Sequence, residues 1–135
     1  MHFTASQKVL FRHCDPAGIV FFPRYAEMVN DTVEALFAER FDWPFERIHR
    51  DGAVPTAQIN LSFTAPSRHG DHLDLGVTVE RIGGASLALT TRATCDGQTR
   101  FVAEQVLVYV DAQGIPQGWP DTFRRKVAEL METPT

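Results

Sequence analysis

From Pro23 to Arg40 the apolar residues Tyr25, Met28, Val29, Val33, Leu36 and Phe37 are spaced 3, 1, 4, 3 and 1 apart. That spacing is one face of an α-helix, and no Gly or Pro interrupts the interior. After Ala57 the period drops to two. Ile59, Leu61 and Phe63 alternate with polar residues in 57–65. Leu73, Leu75, Val77 and Val79 do so in 72–82, and Leu87, Leu89, Thr91 and Ala93 share a side in 85–95. Asp96-Gly97 is a two-residue hairpin signal, followed by a long strand over 98–110. A first strand is expected over residues 6–12, where Val9, Leu10 and Phe11 cluster. Between Phe41 and Asp51 a Trp43-Pro44 break precedes a short helical turn, with Gly52 as its C-terminal cap. Residues 121–132 read as a terminal helix with Phe123, Val127, Leu130 and Met131 on one side.

The order is therefore strand, long helix, four strands in hairpin succession, helix. Strands joined so closely pair antiparallel. One buried helix against one such sheet is an α+β arrangement. A five-stranded antiparallel sheet wrapped around a long central helix, with a C-terminal helix added, is the hotdog fold. Its edge strand needs cover, which a second copy would supply. With 135 residues, 44% of them hydrophobic, a single domain over 1–135 is expected. The net charge of −4 and the lack of a basic block argue against nucleic acid. Cys14 and Cys95 form neither a disulfide framework nor a zinc spacing, which fits a reducing cytoplasm. The N-terminal stretch lacks a signal-peptide core, and the apolar run 17–22 is too short for a bilayer, so no membrane partner is expected.

The chemistry is concentrated between His13 and Tyr25. Asp15 precedes Pro16, which biases it to extended backbone. Gly18 permits a positive-φ turn, and Pro23 suits the first turn of the helix. Asp15 reads either as a turn aspartate bonded to backbone N–H groups or as a nucleophile or general base beside a helix N-terminus. On an extended segment His13 and Asp15 share one side while Cys14 points away. That disfavours a Cys14–His13 nucleophile and leaves His13 either orienting Asp15 or sitting at a polar rim. The backbone N–H of Phe22, at the helix entrance, can face a substrate carbonyl. Asn30 and Asp31, two turns further, are solvated helix residues or substrate-facing polar groups. His69-Gly70-Asp71-His72 reads as a polar hairpin turn rather than a ligand set, and no metal spacing is present. Arg124-Arg125-Lys126 is a solvated helix face or a contact to a phosphate.

Phe11-Arg12-His13-Cys14-Asp15-Pro16-Ala17-Gly18-Ile19-Val20, with Pro23 and Tyr25, resembles the 4-hydroxybenzoyl-CoA thioesterase family of hotdog enzymes. Asn60-Leu61-Ser62-Phe63, Gly70-Asp71 and Ser86 are weaker matches, and the likeness runs over roughly residues 6–112. The resemblance implies hydrolysis of an acyl-CoA thioester to free acid and CoA. It places the catalytic carboxylate on Asp15 and the carbonyl-polarising N–H on Phe22, with Gly18, Tyr25 and Asn30 as substrate-binding candidates. It implies no metal, no cofactor beyond the coenzyme A of the substrate, and a homodimer or homotetramer with interfacial sites. Three departures stand out. Asn30 occupies the position of the helix acid that contacts the ring hydroxyl in that family. Gly83-Gly84-Ala85 replaces the basic cluster that grips CoA phosphates, which leaves Arg81, Arg68 and Arg124 as candidates. His13 stands where an acid precedes the catalytic one. A hotdog dehydratase would need a histidine on the central helix, and 23–40 has none. A non-catalytic module binding acyl thioesters or a protein is the alternative.

Overall fold

The computed structural model describes residues 1–133. In chain order its elements are β1 (Phe3–Lys8), α1 (Pro23–Glu39), α2 (Phe45–Ile48), β2 (Gly52–Ala53), β3 (Thr56–Phe63), β4 (His72–Ile82), β5 (Ser86–Cys95), β6 (Gln98–Val108), β7 (Val110–Asp111) and α3 (Asp121–Met131). Five strands form one sheet in the order β1-β4-β5-β6-β3, and every neighbouring pair is antiparallel. The sheet lays Leu73, Leu75, Val77, Leu87, Leu89 and Phe101 against α1, and all are essentially inaccessible to solvent. This is the α+β hotdog arrangement.

Pro23 takes the first position of α1, where a missing N–H loses no intrahelical bond. The buried face is Tyr25, Met28, Val29, Thr32, Val33, Leu36 and Phe37, the expected stripe with one threonine added. The Thr32 hydroxyl donates to the Met28 carbonyl at 2.8 Å, so no unpaired polar atom enters the core with it. Asp96 and Gly97 close the β5–β6 hairpin with φ of 50° and 81°, as a primed two-residue turn demands.

The structure departs from expectation at several points. β3 does not form a hairpin with the strand that follows it: it pairs with β6 at the far edge of the sheet, so only β4, β5 and β6 are in hairpin succession. The strand expected over 98–110 ends at Val108, and Val110 pairs with Ala53 in the separate β2–β7 ladder. The first strand is Phe3–Lys8, not 6–12, and Phe11–His13 is a 3-10 turn. The Leu10 N–H is taken by Nδ1 of His13 at 2.8 Å and the His13 N–H by the Leu10 carbonyl, so backbone bonds that would extend a strand close a turn instead. Gly52 does not cap α2. It starts β2 opposite Asp111, with the Val110 carbonyl so near that a Cβ has no room.

His2 and His13 are buried and accept backbone N–H groups through Nδ1, His2 from Val79 at 2.9 Å and His13 from Leu10. Burial is the main cause that lowers both pKa values, reinforced by the N-terminal charge at His2 and by Arg12 and Arg24 at His13. With folded values below the unfolded one, the unfolded chain binds more protons in the window between them. Their contribution is therefore complete above about pH 6.5 and is lost as pH falls through the folded values. The expected thermal midpoint is level between pH 8 and 7 and declines from 6.5 to 5. Calorimetry showing no decline over that range would contradict it.

Candidate active site

Asp15, Pro16, Ala17 and Gly18 form a tight turn, with the Gly18 N–H donating to the Asp15 carbonyl at 2.9 Å. Proline at the second position and glycine at the fourth suit such a turn, and Gly18 has φ of +82°. Oδ1 of Asp15 accepts the Ala17 N–H at 2.9 Å. The other carboxylate oxygen has no partner among the described residues. The turn sits at the tip of a short hairpin in which Cys14 bridges Val20 and the Asp15 N–H donates to the Ile19 carbonyl at 3.0 Å. Asp15 is half-buried.

The hairpin delivers the chain to the mouth of α1. Phe21 N–H bonds the His13 carbonyl, and Phe22 is the N-cap residue. Among the described residues the Phe22 N–H has no acceptor, the state of a donor at a helix start. A cavity of about 340 Å³ opens there. Ile19 and Val20 of the hairpin, Phe22 and Tyr25 of the helix mouth, and the segment from Phe63 to Pro66 line it. Phe63 lies edge-on to Phe22 at 5.9 Å and stacks on Tyr25 at 5.8 Å, while Tyr25 packs on Phe101 at 4.4 Å. The walls are thus aromatic, and the open side is flanked by Phe22 and Phe63, 58% and 50% exposed. Asp15 stands beside this cavity, one hydrogen bond from its wall residue Ile19, and not on the wall itself.

His13 does not orient Asp15. Its Nδ1 serves the Leu10 N–H, because residues 11–13 turn rather than extend and the shared-side argument no longer applies. Asn30 does not line the cavity either. It borders a separate hollow with Arg12, Ala26, Glu27 and Asp31. Five residues beyond Tyr25 a helix has turned about 140° further, so the two side chains face different sides. The strand expected over 57–65 stops at Phe63, so Thr64 and Ala65 leave the sheet and with Pro66 line the cavity, a role the alternating pattern did not mark.

The profile of the thioesterase-like superfamily matches residues 9–128. The chain belongs to that superfamily. No curated protein matches it. A 1,4-dihydroxy-2-naphthoyl-CoA thioesterase from Synechocystis superposes with a TM-score of 0.89 at 19% identity, covering 98% of both chains. A gentisyl-coenzyme A thioesterase gives 0.84 at 21%, covering 90% of this chain and 99% of the other. A thioesterase from Thermus thermophilus, complexed with coenzyme A and Zn, gives 0.83 at 24%, covering 97% and 95%. The enzyme class that follows from the family is thioester hydrolase.

The three arginines expected as candidates for phosphate contacts are placed differently. Arg124 is committed, donating through one Nη to the Gly83 and Gly84 carbonyls at 2.9 Å each and tying α3 to the β4–β5 turn. Arg81 borders a groove with Gln58, Asn60 and Glu104, away from the cavity. Arg68 is the one beside it: its backbone bridges Ile19, and its guanidinium is exposed without a carboxylate partner among the described residues. Those residues contain no group of three or more His, Cys, Asp or Glu arranged to hold a metal ion. No helix among them is long and apolar enough to cross a membrane.

Proposed function

We propose that this thioesterase hydrolyses an acyl-CoA with an aromatic, hydroxybenzoyl-type acyl group, using Asp15 and the Phe22 N–H. The supporting observation is that Phe22, whose N–H has no acceptor among the described residues, lines an aromatic cavity, and that the hairpin supplying its wall residues Ile19 and Val20 also carries Asp15, one of whose carboxylate oxygens is unbonded among those residues. The Phe22 N–H donates to the thioester oxygen as negative charge develops there. The Asp15 carboxylate either attacks the carbonyl carbon itself or takes a proton from the attacking water. In the first case collapse of the tetrahedral species breaks the C–S bond and leaves a mixed anhydride on Asp15, which a water then hydrolyses to the free acid and the carboxylate. In the second the water is itself the attacking group and collapse expels the thiolate directly, and in both the thiolate takes a proton. The faces of Phe22, Tyr25 and Phe63 favour a ring over a flexible chain, with Gly18 shaping the turn that presents Asp15. Arg68 is the cation best placed for CoA phosphate. Cys14 and Cys95, both free thiols, support a cytoplasmic site of action.

The test is thiol release from a panel of aromatic and aliphatic acyl-CoAs, with aromatic esters expected to turn over fastest. A second reading, binding without turnover, is favoured by the bond from Ala17 N–H to Asp15, which gives that carboxylate a structural role. Tight binding with no release from any ester would decide for it.

The assembly belongs to the same proposal. The edge strand β3 is exposed on both faces except at half-buried Leu61, and Ile59 and Phe63 present apolar surface. Such an edge pairs or is protected. A second copy across β3 would cover the open side of the cavity, giving a homodimer or a homotetramer built from two such dimers. Sedimentation is expected at a multiple of the 15.1 kDa chain mass. Ile59→Asp is expected to shift it toward the monomer and to raise KM. A monomeric wild type with full activity would refute the assembly.

A further inference from the structure

We propose that the Arg100–Asp71 ion pair is a positioning device that holds the cavity wall and the Asp15 hairpin in register with the mouth of α1. The inference rests on the reading of Asp15 and Phe22 as the reacting groups. Arg100 sits where β5 and β6 slip register, Ala93 pairing with Phe101 and Thr94 with Thr99. A bulge of this kind re-aims a side chain. One guanidinium nitrogen, Nη1, shares its two N–H groups among three acceptors: Asp71 Oδ2 at 2.7 Å, the Pro66 carbonyl at 3.1 Å and Ser67 Oγ at 3.3 Å. The Arg100 carbonyl accepts the Thr64 and Ala65 N–H groups at 3.0 and 3.3 Å. Asp71 Oδ2 also accepts the Arg68 N–H at 3.0 Å. The wall segment is therefore fastened at Thr64 and Ala65 by the backbone of Arg100, and at Pro66, Ser67 and Arg68 by the ion pair itself.

The wall in turn carries the hairpin. The carbonyl of Ser67, a fully buried residue, accepts the Val20 N–H at 2.8 Å, and Arg68 bridges Ile19. The Val9 N–H, just upstream of the 11–13 turn, bonds the Asp71 carbonyl at 2.7 Å. Both ends of the Asp15 segment thus register on residues 67–71. The pair is secluded, with side chains 12% and 29% exposed for Arg100 and Asp71. The backbone N–H of Arg68 and then the Arg100 bond hold the Asp71 pKa below its ordinary value, and the same bond raises that of Arg100. Both partners therefore keep their charges across the physiological range.

Stability alone does not require such a pair, since apolar substitutes for buried ion pairs are often neutral or stabilising, whereas removing one partner leaves a costly unpaired charge. That asymmetry separates the two roles. Arg100→Met and Asp71→Asn are each expected to lower the thermal midpoint, and the double variant to recover part of that loss. If the pair positions the site, the double variant still has kcat reduced about 10- to 100-fold, as misplacement of reacting groups by an ångström does. Arg100→Lys, with three ammonium donors for the same three acceptors, is expected to stay within about threefold of wild type on the same geometric argument. Amide exchange at Val20 should accelerate in the double variant while Leu89, in the middle of the sheet, stays protected. Wild-type kcat and KM in the double variant, or unchanged exchange at Val20, overturns the inference. Absence of turnover in the wild-type protein would instead sink the assignment of Asp15 and Phe22, and exchange at Val20 would still decide the role of the pair.

Discussion

Asp15→Asn is expected to lower kcat by about 10²- to 10⁴-fold, the range of a positioned general base or nucleophile, with KM and thermal midpoint close to wild type. The amide retains an oxygen at the Oδ1 position, so the bond from Ala17 N–H, 2.9 Å in the wild type, persists and the turn keeps its shape. The bonds from Gly18 N–H to the Asp15 carbonyl and from Asp15 N–H to the Ile19 carbonyl involve only backbone. What the substitution removes is the anionic oxygen that has no partner among the described residues, the atom to which the proposed mechanism assigns the attack or the proton transfer. Asp15→Ala confuses the two roles, because it also deletes the turn bond, worth about 1 kcal/mol. Steady-state kinetics with calorimetry on the Asn variant separate them. An Asn variant that hydrolyses acyl-CoA at the wild-type rate would remove Asp15 from the mechanism.

Phe37→Ala is expected to destabilise the fold by about 3–5 kcal/mol, the usual range for a fully buried phenylalanine. Phe37 is inaccessible to solvent and lies at the centre of an aromatic cluster joining α1 to α3. Its ring meets Phe41 at 5.2 Å, Phe45 at 5.5 Å and Phe123 at 5.5 Å. Those partners come from three separate segments, so no single side-chain shift can refill the space. A loss of that size corresponds to a fall of about 10–20 °C in thermal midpoint for a domain of this length. Phe37 is fifteen residues along α1 from Phe22, about 22 Å at 1.5 Å per residue. The variant that remains folded should therefore keep its KM, which kinetics well below the new midpoint would check. A shift of under 3 °C would mean that the cluster does not hold α3 in place.

The two variants probe opposite ends of one helix, and the ends differ in how legible they were. The helix was plain in the spacing of Tyr25 to Phe37, and the β5–β6 hairpin in Asp96-Gly97, because both signals are local. The first strand was not plain. Its inward residues are Phe3, Ala5 and Gln7, too weakly apolar to mark a face, while Val9, Leu10 and Phe11 drew the strand toward a segment that turns. At the site, the motif around Asp15 located the cavity. Asn30 and Arg124 show the limit: one is on another side of the helix and the other is spent on the Gly83 and Gly84 carbonyls, and neither fact is a property of nearby residues.

The amino-acid order by itself determined the central helix, the β4–β5 and β5–β6 hairpins and the carboxylate-before-proline turn that feeds the helix start, since each depends on periods and dihedral preferences spanning a few residues, whereas the pairing of β3 with β6 was decided only by the tertiary structure. Only the tertiary structure decided what surrounds that turn. The wall from Phe63 to Pro66, the Arg100–Asp71 clasp and the separation of Asn30 from Tyr25 all join residues far apart in the chain. Their contacts arise from how strands register and how far a helix rotates, and a one-residue slip in either would have exchanged every partner.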